Sequence, residues 1–381
     1  MSATRVRVAV VLAGALALLG ASPAPHAVPP AQNVEQTLIL IGDAGRPAPG
    51  GEPVLKALTR ELGREPERTT VVFLGDNVYS DGLLPLEASG RAEMERRLDT
   101  QVDVVRLAGV RAIFIPGNHD WADEKPDGWD AIRRQADRVD SRGAPKVEML
   151  PKGGCPGPVV EDIGSRLRLV LLDTQWWLHP HAKPQPPNSG CPQDAEDAVL
   201  AALNGALQTA GERQVVVAAH HPLASGGPHG GYFSFRQHLF PLTDRNKKLW
   251  IPLPVIGSLY PVARLRGASP QDLTNERNRQ MREALEGVFR EHPPLVYAAG
   301  HEHALQVLDG ASARHLLVSG AGIYNHESTV RKIDGTRFAS SQAGFMKLEI
   351  EGGGRVRLSV LEVNLRGEAV EGYAAWLTDP R

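Results

Sequence analysis

Five short aliphatic and β-branched runs in this chain end alike, each in a carboxylate, amide or imidazole beside a turn-forming residue or a second histidine. The endings are Gly42-Asp43-Ala44-Gly45, Gly75-Asp76-Asn77-Val78-Tyr79, Gly117-Asn118-His119-Asp120, Ala219-His220-His221-Pro222 and Gly300-His301-Glu302-His303. Between the runs lie helical patterns. Strands are expected over 37–42, 69–74, 111–115, 167–172, 213–219 and 295–299, and helices over 52–62, 91–107, 193–207 and 275–290. From 314 onward the pattern changes to strands without long helices, over 314–318, 345–350 and 356–361. A βα rhythm followed by a strand-rich end argues for an α/β sandwich of two packed sheets. Ligands of α/β sheets bind beyond the carboxyl ends of the strands, so endings spread over about 260 positions are expected to converge.

The residue types at those endings suit one task. Two carboxylates, an amide oxygen, a phenol and three imidazoles offer oxygen and nitrogen donors without a thiolate, a set that suits iron, zinc or manganese. One carboxylate shared between two ions can bridge them. The glycine before four of the endings allows a tight turn and a close backbone approach. Any one ending alone reads as an ordinary turn, and a lone strand-end histidine as a structural residue; the ordered set of five carries the expectation. The sequence contains no GxxxxGK[ST] loop, no HExxH and no GxSxG elbow, and Gly320-Ala321-Gly322 lacks the third glycine of a dinucleotide fingerprint.

At these residues the sequence resembles the calcineurin-like metallophosphoesterases, and within them the purple acid phosphatases. The superfamily generally opens with Asp-x-His, whereas this chain has Asp43-Ala44-Gly45 and a tyrosine three residues after Asp76, as that branch does. The resemblance spans about 38–350. It implies a four-layer αββα sandwich of two mixed sheets flanked by helices, and two metal ions, Fe3+ with Fe2+, Zn2+ or Mn2+. It places the first ion on Asp43, Asp76, Tyr79 and His303 and the second on Asp76, Asn118, His220 and His301, with Asp76 bridging. It makes His119 the catalytic histidine beside the leaving group and His229, nine residues past His220, a second substrate-side histidine, although the glycine-rich setting of His229 equally suits a flexible loop. The implied activity is hydrolysis of phosphate monoesters by a metal-bound hydroxide. The alternatives are a diesterase, nucleotidase or pyrophosphatase on the same site, or a metal-binding surface protein without turnover.

Other residues draw plainer readings. His221 is taken as the neighbour of a ligand, Asp120, Trp121, Tyr324 and His326 as rim residues, and Trp176 and Trp177 as core or loop anchors. Residues 232–273 form the largest insertion, set beside the site; within it 249–263 is uncharged and broken by Pro252, Pro254 and Pro261. That stretch is expected as a packed loop without regular helix, with membrane contact as the alternative. This insertion and residues 121–130 are the expected selectivity elements.

Residues 1–27 place Arg5 and Arg7 before an uncharged run over 8–21 and then small residues and prolines, the layout of a secretory signal peptide. The run is shorter than the roughly 20 residues of a membrane span, so an exported protein, periplasmic or extracellular, without a stable span is expected; His26 would leave with the signal. Residues 28–36 read as a Pro-rich linker, 37–365 as one metallophosphoesterase domain and 366–381 as a C-terminal tail. The only cysteines, Cys155 and Cys191, both lie in Gly/Pro surroundings and read as one disulfide in an oxidising compartment; a zinc site with His179 and His181 is the rival. A formal net charge of −2 on 381 residues gives no reason to expect a nucleic-acid partner, and a small phosphorylated substrate is the expected one. The helices carry no coiled-coil heptads that would settle an oligomeric state.

Overall fold

In the computed structural model, residues 28–187, 189–245 and 248–378 are described. The expected signal peptide therefore lies outside the described residues. In chain order the elements are β1 (Val34–Ile41), α1 (Pro53–Leu62), β2 (Thr69–Phe73), α2 (Arg91–Ala108), β3 (Arg111–Phe114), α3 (Gly128–Gly143) and β4 (Val147–Met149). Then come β5 (Val159–Ile163), β6 (Leu167–Leu171), α4 (Gln175–Leu178), α5 (Glu196–Gln208), β7 (Gln214–Ala218), α6 (Phe235–Leu239), α7 (Leu242–Arg245), α8 (Leu259–Leu265), α9 (Glu276–Glu291) and β8 (Val296–Ala299). The chain closes with β9 (Leu305–Asp309), β10 (His315–Ser319), β11 (Thr336–Ser340), β12 (Gly344–Glu351), β13 (Val356–Val363) and β14 (Ala369–Trp376).

The strands form two mixed sheets, ordered β14-β13-β12-β1-β2-β3-β4 and β11-β9-β10-β8-β7-β6-β5. In the first, β1, β2, β3 and β4 run parallel, while β12 joins β1 antiparallel. Alternate residues of one strand serve two interfaces. Leu38 and Leu40 pack with Leu169, Leu171, Val216 and Ala298 of the other sheet, whereas Ile39 and Ile41 face Val54 and Leu58 of α1. Both faces are thus dry, and this is why the strands read as nearly continuous apolar runs. Helices α1, α2 and α3 cover the first sheet; α5 and α9 cover the second, where Phe289 meets Tyr297 with ring centroids 5.8 Å apart. The result is the expected four-layer αββα sandwich.

Local signals set the helix ends. Asn275 accepts from the backbone amide of Arg277 at 2.8 Å to open α9, and Gly109, at φ 72°, closes α2 in the left-handed conformation that glycine adopts without cost. Helix α3 had no expectation, because its buried stripe of Ala131, Ile132, Ala136 and Val139 is narrow and includes a fully buried Gln135.

Three expectations need correction. Residues 366–381 are not simply a tail: Ala369–Trp376 pairs with β13 as an edge strand, mostly exposed along its first half, so the alternation that marks a strand is absent. Val34–Gln36, expected in the linker, already belongs to β1. The stretch 249–263 is neither helix-free nor packed away. Leu259–Leu265 is helical with Pro261 in its first turn, where the missing amide hydrogen has no helical partner to lose, and Trp250 and Ile256 are more than half exposed.

Cys155 and Cys191 form a disulfide, with Cα atoms 5.6 Å apart and 36 positions between them in sequence. Closing a loop of that length in the unfolded chain is worth about 3–4 kcal/mol. Cys155→Ser, or reduction of the wild type, is expected to lower unfolding stability by roughly that amount. Denaturant midpoints with and without reductant check this; an unchanged midpoint would contradict it.

Candidate metal centre

The five endings do converge. β1, β2, β3, β7 and β8 all point their carboxyl ends to one place between the sheets, where the backbone amide of Gly42 donates to Ser319 O at 2.7 Å and that of Gly300 to His220 O at 3.0 Å. Asp43, Asp76 and His301 follow their strands with φ of 59°, 55° and 68°. Left-handed backbone at non-glycine residues costs of order 1 kcal/mol or more each and clusters at functional sites. Gly75 and Gly117 let two turns come this close: a Cβ on Gly75 would lie 2.5 Å from His220 Nδ1, and one on Gly117 2.3 Å from Asp76 Oδ1.

The donors fall into two groups. In one, the Tyr79 hydroxyl lies 2.9 Å from Asp43 Oδ1 and 3.1 Å from His303 Nε2, and Nε2 lies 3.4 Å from Asp43 Oδ1. In the other, Asn118 Oδ1 lies 3.1 Å from both His220 Nε2 and His301 Nδ1, which are 3.2 Å apart. Asp76 belongs to both: it clusters with Asp43 and His303, and its Oδ1 is 3.4 Å from His220 Nε2. Ligands about 2.0–2.2 Å from a common ion are separated by about 3.0–3.4 Å, the spacing seen in both groups.

The two buried imidazoles are held in the right tautomer. His220 Nδ1 faces Leu74 O at 2.8 Å and His301 Nε2 faces Gln271 O at 2.8 Å. A carbonyl only accepts, so each of those nitrogens carries the proton and the other turns a lone pair inward. Burial, then the neighbouring His229, His221 and His220, pushes His301 well below its ordinary pKa, which keeps the ring neutral and able to ligate. Burial raises the Asp76 carboxyl, but His220 and His119 outweigh it and hold it below its usual value. Burial, then Asp43 and Asp76, drives the Tyr79 phenol well above its usual pKa. Among the described residues no lysine or arginine pairs with Asp43 or Asp76. Carboxylates this deeply buried are costly to ionise, and a pair of bound cations would relieve that cost. The donor set fits the metals.

His119 sits at the edge of this cluster. Its Nδ1 faces Ser80 O at 2.6 Å, its Nε2 is 3.9 Å from Asp76 Oδ2, and its backbone amide donates to Asp76 Oδ1 at 3.0 Å. His229 lies on the opposite side, its ring centroid 4.0 Å from that of His301. Its Nδ1 lies 3.0 Å from Asp272 Oδ1, and Asp272 is also bound by Arg264 Nε at 2.8 Å. All nine residues singled out in the sequence are therefore neighbours.

Asp120 and Trp121 are not at the rim. Both are fully buried. Asp120 Oδ1 accepts from the amides of Asn77 and Val78 and from Gln135 Nε2, and Oδ2 from the Gly117 amide and Asn77 Nδ2. One carboxylate thereby ties the Asp76 turn, the Asn118 turn and α3 together; burial, then Asp76, raises its pKa to about 6. His326 does reach the edge, its ring centroid 4.1 Å from that of His303, and Tyr324 is half-buried. Trp176 and Trp177 are buried in α4. His221 is buried with both ring nitrogens engaged, by Thr174 Oγ1 at 2.8 Å and Gln271 Oε1 at 2.7 Å, so it supports the site although it clusters with His220 and His301. Gln271, Asp272 and Arg264 carried no sequence signal, since they lie in the insertion with no motif around them.

The family profile described as calcineurin-like phosphoesterase matches residues 37–251, more than half of the chain. The chain is a calcineurin-like phosphoesterase. Members of that family are metal-dependent hydrolases of phosphate esters and generally use two metal ions. In this phosphoesterase His301 and His303 fall beyond the matched span, and the fold brings them back. Among solved structures it is similar to a chain titled "GAP50 the anchor in the inner membrane complex of Plasmodium", at 15% identity and TM-score 0.52 over 91% of this chain and 90% of that one. It is also similar to purple acid phosphatase PPD1 from yellow lupin (Lupinus luteus) seeds, at 13% identity and TM-score 0.52 over 88% of this chain and 52% of the lupin chain. These likenesses concern the fold. No curated protein matches the sequence.

Proposed function

We propose that this phosphoesterase is an exported, two-metal phosphate monoesterase of the purple acid phosphatase kind. The observation that carries the reading is Asp76, buried between a Tyr79-containing donor group and a group with two tautomer-fixed histidines. Asp43, Asp76, Tyr79 and His303 would hold one ion, and Asp76, Asn118, His220 and His301 the other. When bound, two such ions neutralise phosphoryl oxygens and lower the pKa of water from 15.7 toward about 7. A protonated His119, its Nδ1 hydrogen held by Ser80 O, offers Nε2 to the departing oxygen as the P–O ester bond breaks, so that the leaving group departs as an alcohol. His229, anchored by Asp272 and Arg264, would help hold the phosphoryl oxygens from the other side. The disulfide between Cys155 and Cys191 supports an oxidising compartment, as the signal-like residues 1–27 do.

The test is metal analysis of the purified protein with its visible spectrum and its hydrolysis of monoesters and diesters. About two bound ions, monoester turnover and a visible absorption band lost in Tyr79→Phe are expected. Turnover without such a band would keep the hydrolase and reject ferric iron on Tyr79. No turnover after reconstitution with iron, zinc or manganese would favour a non-catalytic metal-binding reading.

A further inference from the structure

The lobe built by residues 232–268 has a surface unlike the rest of the molecule. Nine of the fourteen large apolar side chains exposed among the described residues lie between Phe235 and Leu265. Phe235, Trp250, Val255, Ile256, Leu259 and Tyr260 are each at least 42% exposed. The lobe is built, not frayed: Leu253 N donates to Leu239 O at 2.8 Å, His238 Nδ1 lies 3.1 Å from Ser258 Oγ, and Gly257 is buried beneath α6 because a Cβ there would meet His238 O at 2.3 Å. Apolar side chains therefore point outward from an ordered base.

The charge of the same segment is equally uneven. Residues 232–268 contain six lysines and arginines and a single acidic residue, Asp244, in a chain whose formal net charge is −2. Arg236 stacks over Trp250, its guanidinium carbon 5.7 Å from the ring centroid, and Arg266 is exposed, whereas Arg264 turns inward onto Asp272. Cations beside exposed aromatics and aliphatics are the composition of a surface that sits at a lipid headgroup layer: apolar side chains enter the acyl boundary, aromatic rings lie at headgroup depth, and Lys or Arg stems reach back to phosphates. A two-fold contact between copies through this lobe would set one strongly basic surface against another.

We propose that this lobe docks the protein peripherally on an anionic lipid surface. Its attachment to the site is direct, since Arg264 of the lobe bonds Asp272 and its Nη2 lies 3.0 Å from His229 Nδ1; docking would bring the mouth of the metal centre near the membrane. The inference does not depend on turnover.

The test uses the full chain and vesicles of phosphatidylcholine with or without phosphatidylglycerol, read by flotation. Wild type is expected to float with the anionic vesicles, less so at high salt, and Trp250→Glu/Ile256→Glu to lose at least about tenfold in apparent affinity, with hydrolysis of a soluble ester and the melting temperature unchanged. If that variant does not fold, Arg266→Gln serves, expected to weaken binding to anionic vesicles alone. Equal flotation of variant and wild type would assign binding to another part of the chain, such as residues 1–27, and overturn the proposal. So would equal binding to both vesicle types, or a wild-type dimer that the variant converts to monomer.

Discussion

Replacing Asp76 by asparagine is expected to lower kcat by more than the ~10–100-fold that loss of an outer-shell partner costs at a metal site, and to reduce bound metal from about two ions to one or fewer. Asparagine keeps the shape of the side chain and an oxygen for the His119 amide, which Asp76 Oδ1 accepts at 3.0 Å. The substitution therefore removes charge and bridging capacity with little change in packing. Asp76 is 1% exposed and shared by both donor groups, so no neighbour takes its place. Metal analysis and steady-state rates on the same preparation check the expectation. Two ions retained with kcat within about twofold would sink the bridging role.

His119→Ala is expected to act differently. This ring contacts Ser80 O and flanks Asp76 without joining either donor group, so metal content should hold while proton delivery fails. General acid catalysis is worth ~10²–10⁴-fold, and that loss should appear for alkyl phosphates, whose leaving groups require a proton. For a nitrophenyl phosphate, whose leaving group departs as a stable anion, the loss should be far smaller. Comparing the two substrates with the same variant separates proton transfer from positioning. Equal losses on both would remove His119 from the acid role.

The strand ends were legible because each joined an apolar run to a ligand-type residue and a turn former, a combination set by local chemistry. The fold followed from the same runs, since strands dry on both faces need little tertiary context to be recognised. What escaped detection depended on tertiary placement. Asp120 directly follows His119, yet the turn that returns Trp121 N to Gly117 O at 3.3 Å and Ala122 N to His119 O at 3.0 Å leaves His119 partly exposed and Asp120 wholly buried. Seven of the sixteen residues of helix α3 are charged, and Gln135 in its buried stripe is explained only by its bond to Asp120. Asp272 reaches His229 from 43 positions away, across an insertion whose apolar content suggested a packed loop and whose surface turned out to be exposed.

The Asp120 clamp has a consequence for how the centre acquires its ions. Because that carboxylate, together with the Leu74 and Gln271 carbonyls, fixes the donors through bonds wholly within the polypeptide, the chain need not fold around a particular cation. The two donor groups are thereby held together before any ion binds. A chelator that strips the proposed ions should therefore leave the chain folded, with its donors still in position to take ions up again.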